Sequence, residues 1–176
     1  MVDKLLVPFF SNDVGIAAPR ILMMSDKNRL WYGGGYMSWF KGSARVPGYG
    51  LNQNSMLALQ ERDVEFASGC AFMIRRSVLL NCGGFDSRYF MYEEDVEFSI
   101  RVISAGYRIR YVPEALVYHI GQGSQRRDAQ SKDMFSGENP RLPFFVYYAT
   151  RNRCFTVFTH GRLLQLSLIH ILLLNI

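Results

Sequence analysis

The sequence predicts an α/β fold, and three observations carry that expectation. Short stretches dense in strand formers alternate with segments whose apolar residues recur at helical spacing. Clusters of glycine, proline and asparagine punctuate the joints between them. The composition, 49% hydrophobic and 20% charged, is that of a folded domain and excludes a disordered, collagen-like or disulfide-scaffold chain. At 176 residues, against about 150 for a typical domain, the chain has room for one domain with a real core.

A first strand is expected over residues 14–24 (VGIAAPRILMM), closed by the turn Ser25-Asp26-Lys27-Asn28. Residues 30–40 alternate around Gly33-Gly34-Gly35 and predict a strand or hairpin. That glycine run has neither a Walker lysine nor G-x-G-x-x-G spacing, so it is assigned no phosphate role. Residues 41–54 (KGSARVPGYGLNQN) have the composition of a long surface loop. Residues 64–74 (VEFASGCAFMI) predict a buried strand interrupted at Gly69, where the missing side chain admits another backbone or a ligand. A short helix over 75–81 should stop at Cys82-Gly83-Gly84.

Val96, Ile100, Ile103 and Tyr107 recur at helical spacing, which predicts a helix from near Asp95 to Gly106. Residues 107–112 and 115–120 are strand-like, with Pro113 at a kink or an edge. From Phe144 onward, aromatic residues and arginines lead into residues 163–176, which hold ten aliphatics in fourteen and no charge. A bilayer span needs about 20 residues, so an interfacial helix, a packed core helix and a span cut by the chain end all stay open. The expected division is a domain over 1–124, then a basic loop and apolar helical tail over 125–176.

Twenty Lys and Arg against fifteen Asp and Glu leave a charge of +5, which suits nucleotides, phosphates or a lipid headgroup surface. A nucleic-acid partner is not expected, because the basic residues are scattered and no RNP-like, zinc-finger or helix-turn-helix signature occurs. Cys70, Cys82 and Cys154 form neither an even framework nor a C-x-x-C pair, which favours a reducing compartment. The N-terminus lacks the basic start and long apolar run of a signal peptide. A cytoplasmic location is therefore expected, with the apolar tail leaving the inner face of the membrane open as its place there.

The most informative stretch is residues 83–101, GGFDSRYFMYEEDVEFSIR, with His119 beyond it. Asp86, an aromatic run and consecutive carboxylates at a helix start would set acids at the mouth of a sheet, where α/β proteins bind ligands. Taken singly, each acid also serves as an ordinary dipole-compensating cap, worth about 0.3–1 kcal/mol. Glu93, Glu94 and Asp95, with Glu97 as a fourth, exceed what capping needs, and such crowding raises carboxyl pKa values. The cluster points to a proton acceptor or a cation site. His119, at a strand end, suits either a divalent ion or a structural hydrogen bond. Arg126 and Arg127 lie in a glycine-bearing loop and suit either a diphosphate or solvent. Trp31, Trp39 and Tyr49 flank glycine-rich loops, where aromatics either stack on a sugar ring or simply pack.

These pieces together resemble the C-terminal half of a family 2 glycosyltransferase, closest to its rhamnosyltransferase-like members. The matching blocks are residues 14–22, 67–76 (ASGCAFMIRR), Gly83-Gly84-Phe85-Asp86, 90–97 (FMYEEDVE), Ala105-Gly106-Tyr107, Val112-Pro113-Glu114-Ala115, His119 and 147–152 (YYATRN). The resemblance implies a partial GT-A type (nucleotide-diphospho-sugar transferase) fold, a nucleotide-sugar donor, a saccharide or lipid-linked acceptor, a divalent Mg or Mn ion and inversion at the anomeric carbon. It implies that Asp95 is the base, that Glu94 orients the base or the acceptor, and that His119 is a metal ligand. Gly69 and Cys70 would lie under the acceptor sugar, with Asp86 also on the substrate side and Arg126 and Arg127 near the donor phosphates.

The family's N-terminal nucleotide-binding half, ending in a D-x-D motif, should precede Val14, and no D-x-D occurs in these 176 residues. The expectation is accordingly a fragment that is inactive alone. The alternative expectation is a non-catalytic module that binds a membrane surface or a partner through its apolar tail and keeps the acidic helix as scaffold.

Overall fold

The computed structural model describes residues 1–120 and 141–161. Its spine is β1 (Val14–Met23), in which eight of ten residues are buried. A strand covered on both faces has no reason to alternate, which is why the sequence reads there as a continuous apolar run. β7 (Arg108–His119) runs parallel to β1 along its whole length, from Val14↔Arg108 to Met23↔His119. The sheet order is β2-β1-β7-β5, with β2 (Leu30–Tyr32) and β5 (Arg62–Val64) antiparallel to their neighbours. β6 (Met73–Ile74) shares the β2 edge of β1, pairing at Ile16 and Ala17. This mixed sheet with helices is the α/β class expected.

Pro113 does not divide two strands. Pro19 pairs with Val112 and Arg20 with Leu116, so residues 113–115 bulge out of one continuous β7. A proline lacks the N–H that the ladder needs, and a bulge accommodates it without ending the strand.

Residues 30–74 depart from expectation. β2 does not fold back on β3 (Tyr36–Ser38) as a hairpin; β3 pairs instead with β4 (Ser43–Arg45), inside the segment expected to be loop. Between them the Gly35 carbonyl accepts the Glu65 and Phe66 N–H groups at 2.8 and 3.2 Å. A Cβ on Gly35 would lie 2.2 Å from the Phe66 ring, so only glycine lets the two segments cross. That crossing also breaks the strand expected over 64–74 into β5 and β6, because residues 65–66 spend their N–H groups outside the sheet ladder. A short helix, α2 (Met56–Leu59), precedes β5.

The helices α3 (Arg76–Cys82) and α4 (Glu94–Ser104) fall within two residues of their expected bounds. α4 buries Val96, Phe98 and Val102 against Ile16, Ile109, Tyr111 and Phe66. Each such apolar side chain removed from water contributes about 1.5–3 kcal/mol. The first residues also belong to the fold: in α1 (Val2–Leu6), Leu5 packs on Ala17, Val112 and Ala115. α5 (Leu142–His160) buries only Phe145, Asn152, Thr156 and Val157. Among the described residues no helix is long and apolar enough to cross a membrane. Residues 163–176, Arg126 and Arg127 lie outside the described residues.

Candidate active site

The site grows from the turn between α3 and α4. Gly83, at φ 74°, ends α3 in the left-handed region that glycine tolerates. Arg101 of α4 reaches back to donate to the Cys82 carbonyl and, at 2.8 Å, to the Gly84 carbonyl. It also pairs with Glu97 at 2.7 Å, and His160 of α5 approaches the same carboxylate at 3.1 Å. Glu97 is thus buried and neutralised on the far side of the helix, so it does not belong to the acidic cluster counted from the sequence. Asp86 accepts the Arg88 backbone N–H at 2.9 Å and grips its guanidinium at 2.6–3.0 Å. Those bonds from Arg88 hold its carboxyl at a pKa of about 2.

Three residues that are not glycine then adopt left-handed backbone: Phe90 at φ 59°, Tyr92 at 65° and Glu93 at 66°. Such geometry is unfavourable for L-residues and persists only where neighbours enforce it. α5 supplies the enforcement, since the Asn152 amide donates to the carbonyls of Tyr89, Met91 and Tyr92 at 2.6, 2.6 and 2.9 Å. The Thr156 hydroxyl meets the Tyr89 hydroxyl at 3.0 Å, and Arg151 donates to the Arg88 carbonyl at 2.9 Å.

Released from this turn, α4 places Asp95 in its first turn, facing Gly69. Asp95 Oδ2 accepts the Gly69 N–H at 2.7 Å and Oδ1 accepts the Val96 N–H at 2.8 Å. The Ser99 hydroxyl donates to the Asp95 carbonyl at 2.7 Å and accepts the Ala67 N–H at 3.2 Å, tying the 67–69 segment to the helix. A Cβ on Gly69 would sit 3.4 Å from the Asp95 side chain. Gly69 is therefore where the backbone comes close enough to hold the carboxyl, the close approach expected of that glycine.

Burial raises the Asp95 pKa, and the two N–H donors oppose that rise. Glu94 is raised by burial too, while Glu93 is pushed up to about 7, chiefly by burial, with Arg153 pulling it down and the neighbouring acids adding to the rise. Desolvation outweighs the mutual repulsion anticipated from the sequence. One carboxylate oxygen each of Glu93 and Glu94 is buried with no hydrogen-bond partner among the described residues.

His119 ends β7 opposite Met23. Its ring lies edge-on to Trp31 at 4.7 Å, and Trp31 in turn meets Tyr49 at 5.5 Å. Burial lowers its pKa, which keeps the imidazole neutral. Trp39 packs against the core. Cys70 is exposed, and its N–H approaches the Ser68 hydroxyl at 3.4 Å. The structure thus joins Gly69, Cys70, Glu94 and Asp95 in one neighbourhood, with Asp86 in the preceding turn, while the His119 ring lies against Trp31. No group of three His, Cys, Asp or Glu side chains among the described residues could hold a metal ion. Asn152 stood in the 147–152 block with no role attached to it, because a bond to backbone carbonyls leaves no trace in the residues it contacts.

Residues 3–173 match the family described as glycosyl transferase family group 2. The chain is 46% identical over 71 residues to the N-acetylglucosaminyl-diphospho-decaprenol L-rhamnosyltransferase of Mycobacterium tuberculosis, covering 40% of this chain and 23% of that protein. It is 30% identical over 136 residues to the pre-mycofactocin glycosyltransferase of the same organism, covering 77% of this chain and 27% of the relative. A rhamnosyltransferase WbbL of Escherichia coli is 35% identical over 63 residues, covering 36% of this chain and 24% of its own. The chain therefore spans about a quarter of the length of the relatives it matches. With the family match running from residue 3 to residue 173, this chain belongs to glycosyl transferase family group 2.

Proposed function

We propose that this segment forms the acceptor side of a sugar-transfer site, with Asp95 as the proton acceptor. The observation that carries the reading is the Asp95 carboxyl, half-buried at the head of α4 and held by the Gly69 N–H at 2.7 Å. Burial makes it a stronger base than an exposed aspartate, and the backbone donors fix its direction. An acceptor hydroxyl gives its proton to this carboxylate as its oxygen bonds to the anomeric carbon. The bond from that carbon to the nucleoside diphosphate breaks, and the departing oxygen keeps the electron pair. Displacement from the opposite face inverts the anomeric centre.

Glu94 is assigned to orienting the acceptor, and Gly69 with Cys70 to the floor beneath its sugar. Arg88 occupies the Asp86 carboxylate, which assigns Asp86 to shaping the turn at the edge of the acceptor site. Arg126 and Arg127 are assigned to the donor phosphates on their chemistry. A divalent Mg or Mn ion would stabilise charge on the departing diphosphate. His119 offers one ligand to it, and the described residues do not complete a set, so no step here runs through a metal. The relatives' names favour L-rhamnose as the transferred sugar and a lipid-diphosphate-linked saccharide as acceptor.

The test is transfer of labelled sugar from a panel of nucleoside-diphospho sugars, including rhamnose, by the polypeptide that carries this segment. Asp95→Asn should lower transfer by about a hundredfold or more, the scale of a lost general base. Unchanged transfer would remove Asp95 from the role. A membrane-surface contact is a second reading, favoured by the exposed Tyr147 and Phe158 of α5, at 60% and 74%. Flotation with anionic liposomes should weaken when residues 163–176 are removed; equal flotation counts against the tail.

A further inference from the structure

We infer that Asn152 is a positioning residue for the acid turn: from α5 it clamps residues 89–93 in the left-handed backbone that aims Asp95 at Gly69. The functional meaning of this clamp rests on the reading of Asp95 as proton acceptor; the clamp itself does not.

Asn152 is fully buried. Its amide cannot be turned round, because Oδ1 faces an Arg151 guanidinium N–H at 2.7 Å and a guanidinium only donates. Nδ2 must then face the carbonyls of Tyr89, Met91 and Tyr92, which only accept. Two N–H groups serve three oxygens, so one proton is shared. The clamped span contains Phe90, Tyr92 and Glu93, the three residues among those described that adopt left-handed backbone without being glycine. Glu93 directly precedes α4, and Asp95 is the second residue of that helix. Torsions at 92 and 93 therefore set both the direction in which α4 leaves the turn and the angle from which the carboxyl meets Gly69. Relaxation of either torsion to the ordinary right-handed or extended region would swing the head of the helix.

The clamp is read on the 176-residue chain through the Gly69 amide, by hydrogen exchange and by NMR titration against pH. Burial and the N–H groups of Gly69 and Val96 set the Asp95 titration; the charged and titratable groups that interact with it are Glu93 and Glu94 on its own turn and Tyr32 of β2, with Arg153 of α5 acting on Glu93. Asn152→Ala should speed Gly69 exchange by about fivefold to tenfold, the loss of one ordinary hydrogen bond. A swung helix head also returns the carboxyl to solvent, and because burial is the larger influence on Asp95 than the opposing Gly69 donor, the pH midpoint reported by that amide should fall toward the value of an exposed aspartate.

Thr156→Val removes a buried hydrogen bond to the Tyr89 side chain and leaves the three bonds to the turn's backbone carbonyls in place, so it should change neither readout. Tyr92→Gly added to Asn152→Ala should move both back toward the wild-type values, since glycine adopts left-handed backbone without a side-chain penalty at a torsion that sets the head of α4. A folded Asn152→Ala with unchanged Gly69 exchange and midpoint would overturn the inference, as would an equal change in Thr156→Val. Should Asn152→Ala fail to fold, the double variant decides: a recovered Gly69 signal supports the clamp, and no recovery rejects it. None of these readouts needs sugar transfer, so a failure of the clamp and a failure of Asp95 as base are told apart.

Discussion

At the scale of single residues, the same burial that makes Asp95 a stronger base gives the acid turn a pH signature. Folded Glu93 keeps its proton up to about pH 7, whereas an ordinary glutamate releases it near 4.5. Between those values the folded chain binds more protons than the unfolded one, so stability is greatest below about 4.5 and declines as pH rises toward 7. Asp95 and Glu94, also raised by burial, act in the same sense. Asp13 and Asp86, held at about 2 by Arg108 and Arg88, act in the opposite sense, between about 2 and their ordinary 3.8. Glu93→Gln should therefore flatten the decline, by on the order of 2 kcal/mol between pH 4.5 and 7 in urea unfolding. An identical decline in the variant would show that Glu93 does not titrate differently in the folded chain.

At the scale of elements, α4 is fastened at both faces. The face opposite Asp95 is tied by Arg101, which satisfies the buried Glu97 and the carbonyls of Cys82 and Gly84 together. Removing a partner from a buried ion pair leaves an uncompensated charge, which costs about 3–5 kcal/mol. Arg101→Met should lower stability by about 3 kcal/mol, and Glu97→Gln in the same chain should return most of it. A loss below about 1 kcal/mol would mean His160 compensates Glu97 alone.

α4 was also the most legible element, because its acids and its apolar spacing mark the same helix start. β1 could be read because its run is long and apolar. Other elements were hidden for physical reasons. The glycine run at 33–35 looks like a hairpin turn when only local chemistry is weighed, yet its purpose is the crossing beneath Phe66. In α5 the consecutive Phe144-Phe145-Val146-Tyr147-Tyr148 masks any helical period, so only a change of composition was visible. Gly69 and Asp95 were both singled out, but their direct bond spans 26 positions of sequence and depends on how α4 packs. The pairing of His119 with Trp31 arises in the same way, from β7 lying parallel to β1.

For the whole molecule, the sheet, the acid turn and α5 form one mechanical chain. β1 and β7 carry α4; α4 presents Asp95; α5 holds the turn that starts α4. The chain belongs to glycosyl transferase family group 2 and matches about a quarter of the length of its rhamnosyltransferase relatives; sugar transfer is the chemistry proposed for this carboxyl. The account stands on Asp95 being ionised when it accepts the acceptor proton. Its most direct test is the pH dependence of kcat/KM for sugar transfer by the polypeptide carrying this segment, with and without Asp95→Asn. The account predicts a wild-type rate that falls on acidification with a midpoint above the ordinary aspartate value, and a residual Asp95→Asn rate without that acid limb. The same acid limb in both proteins, or undiminished turnover in the variant, would contradict it.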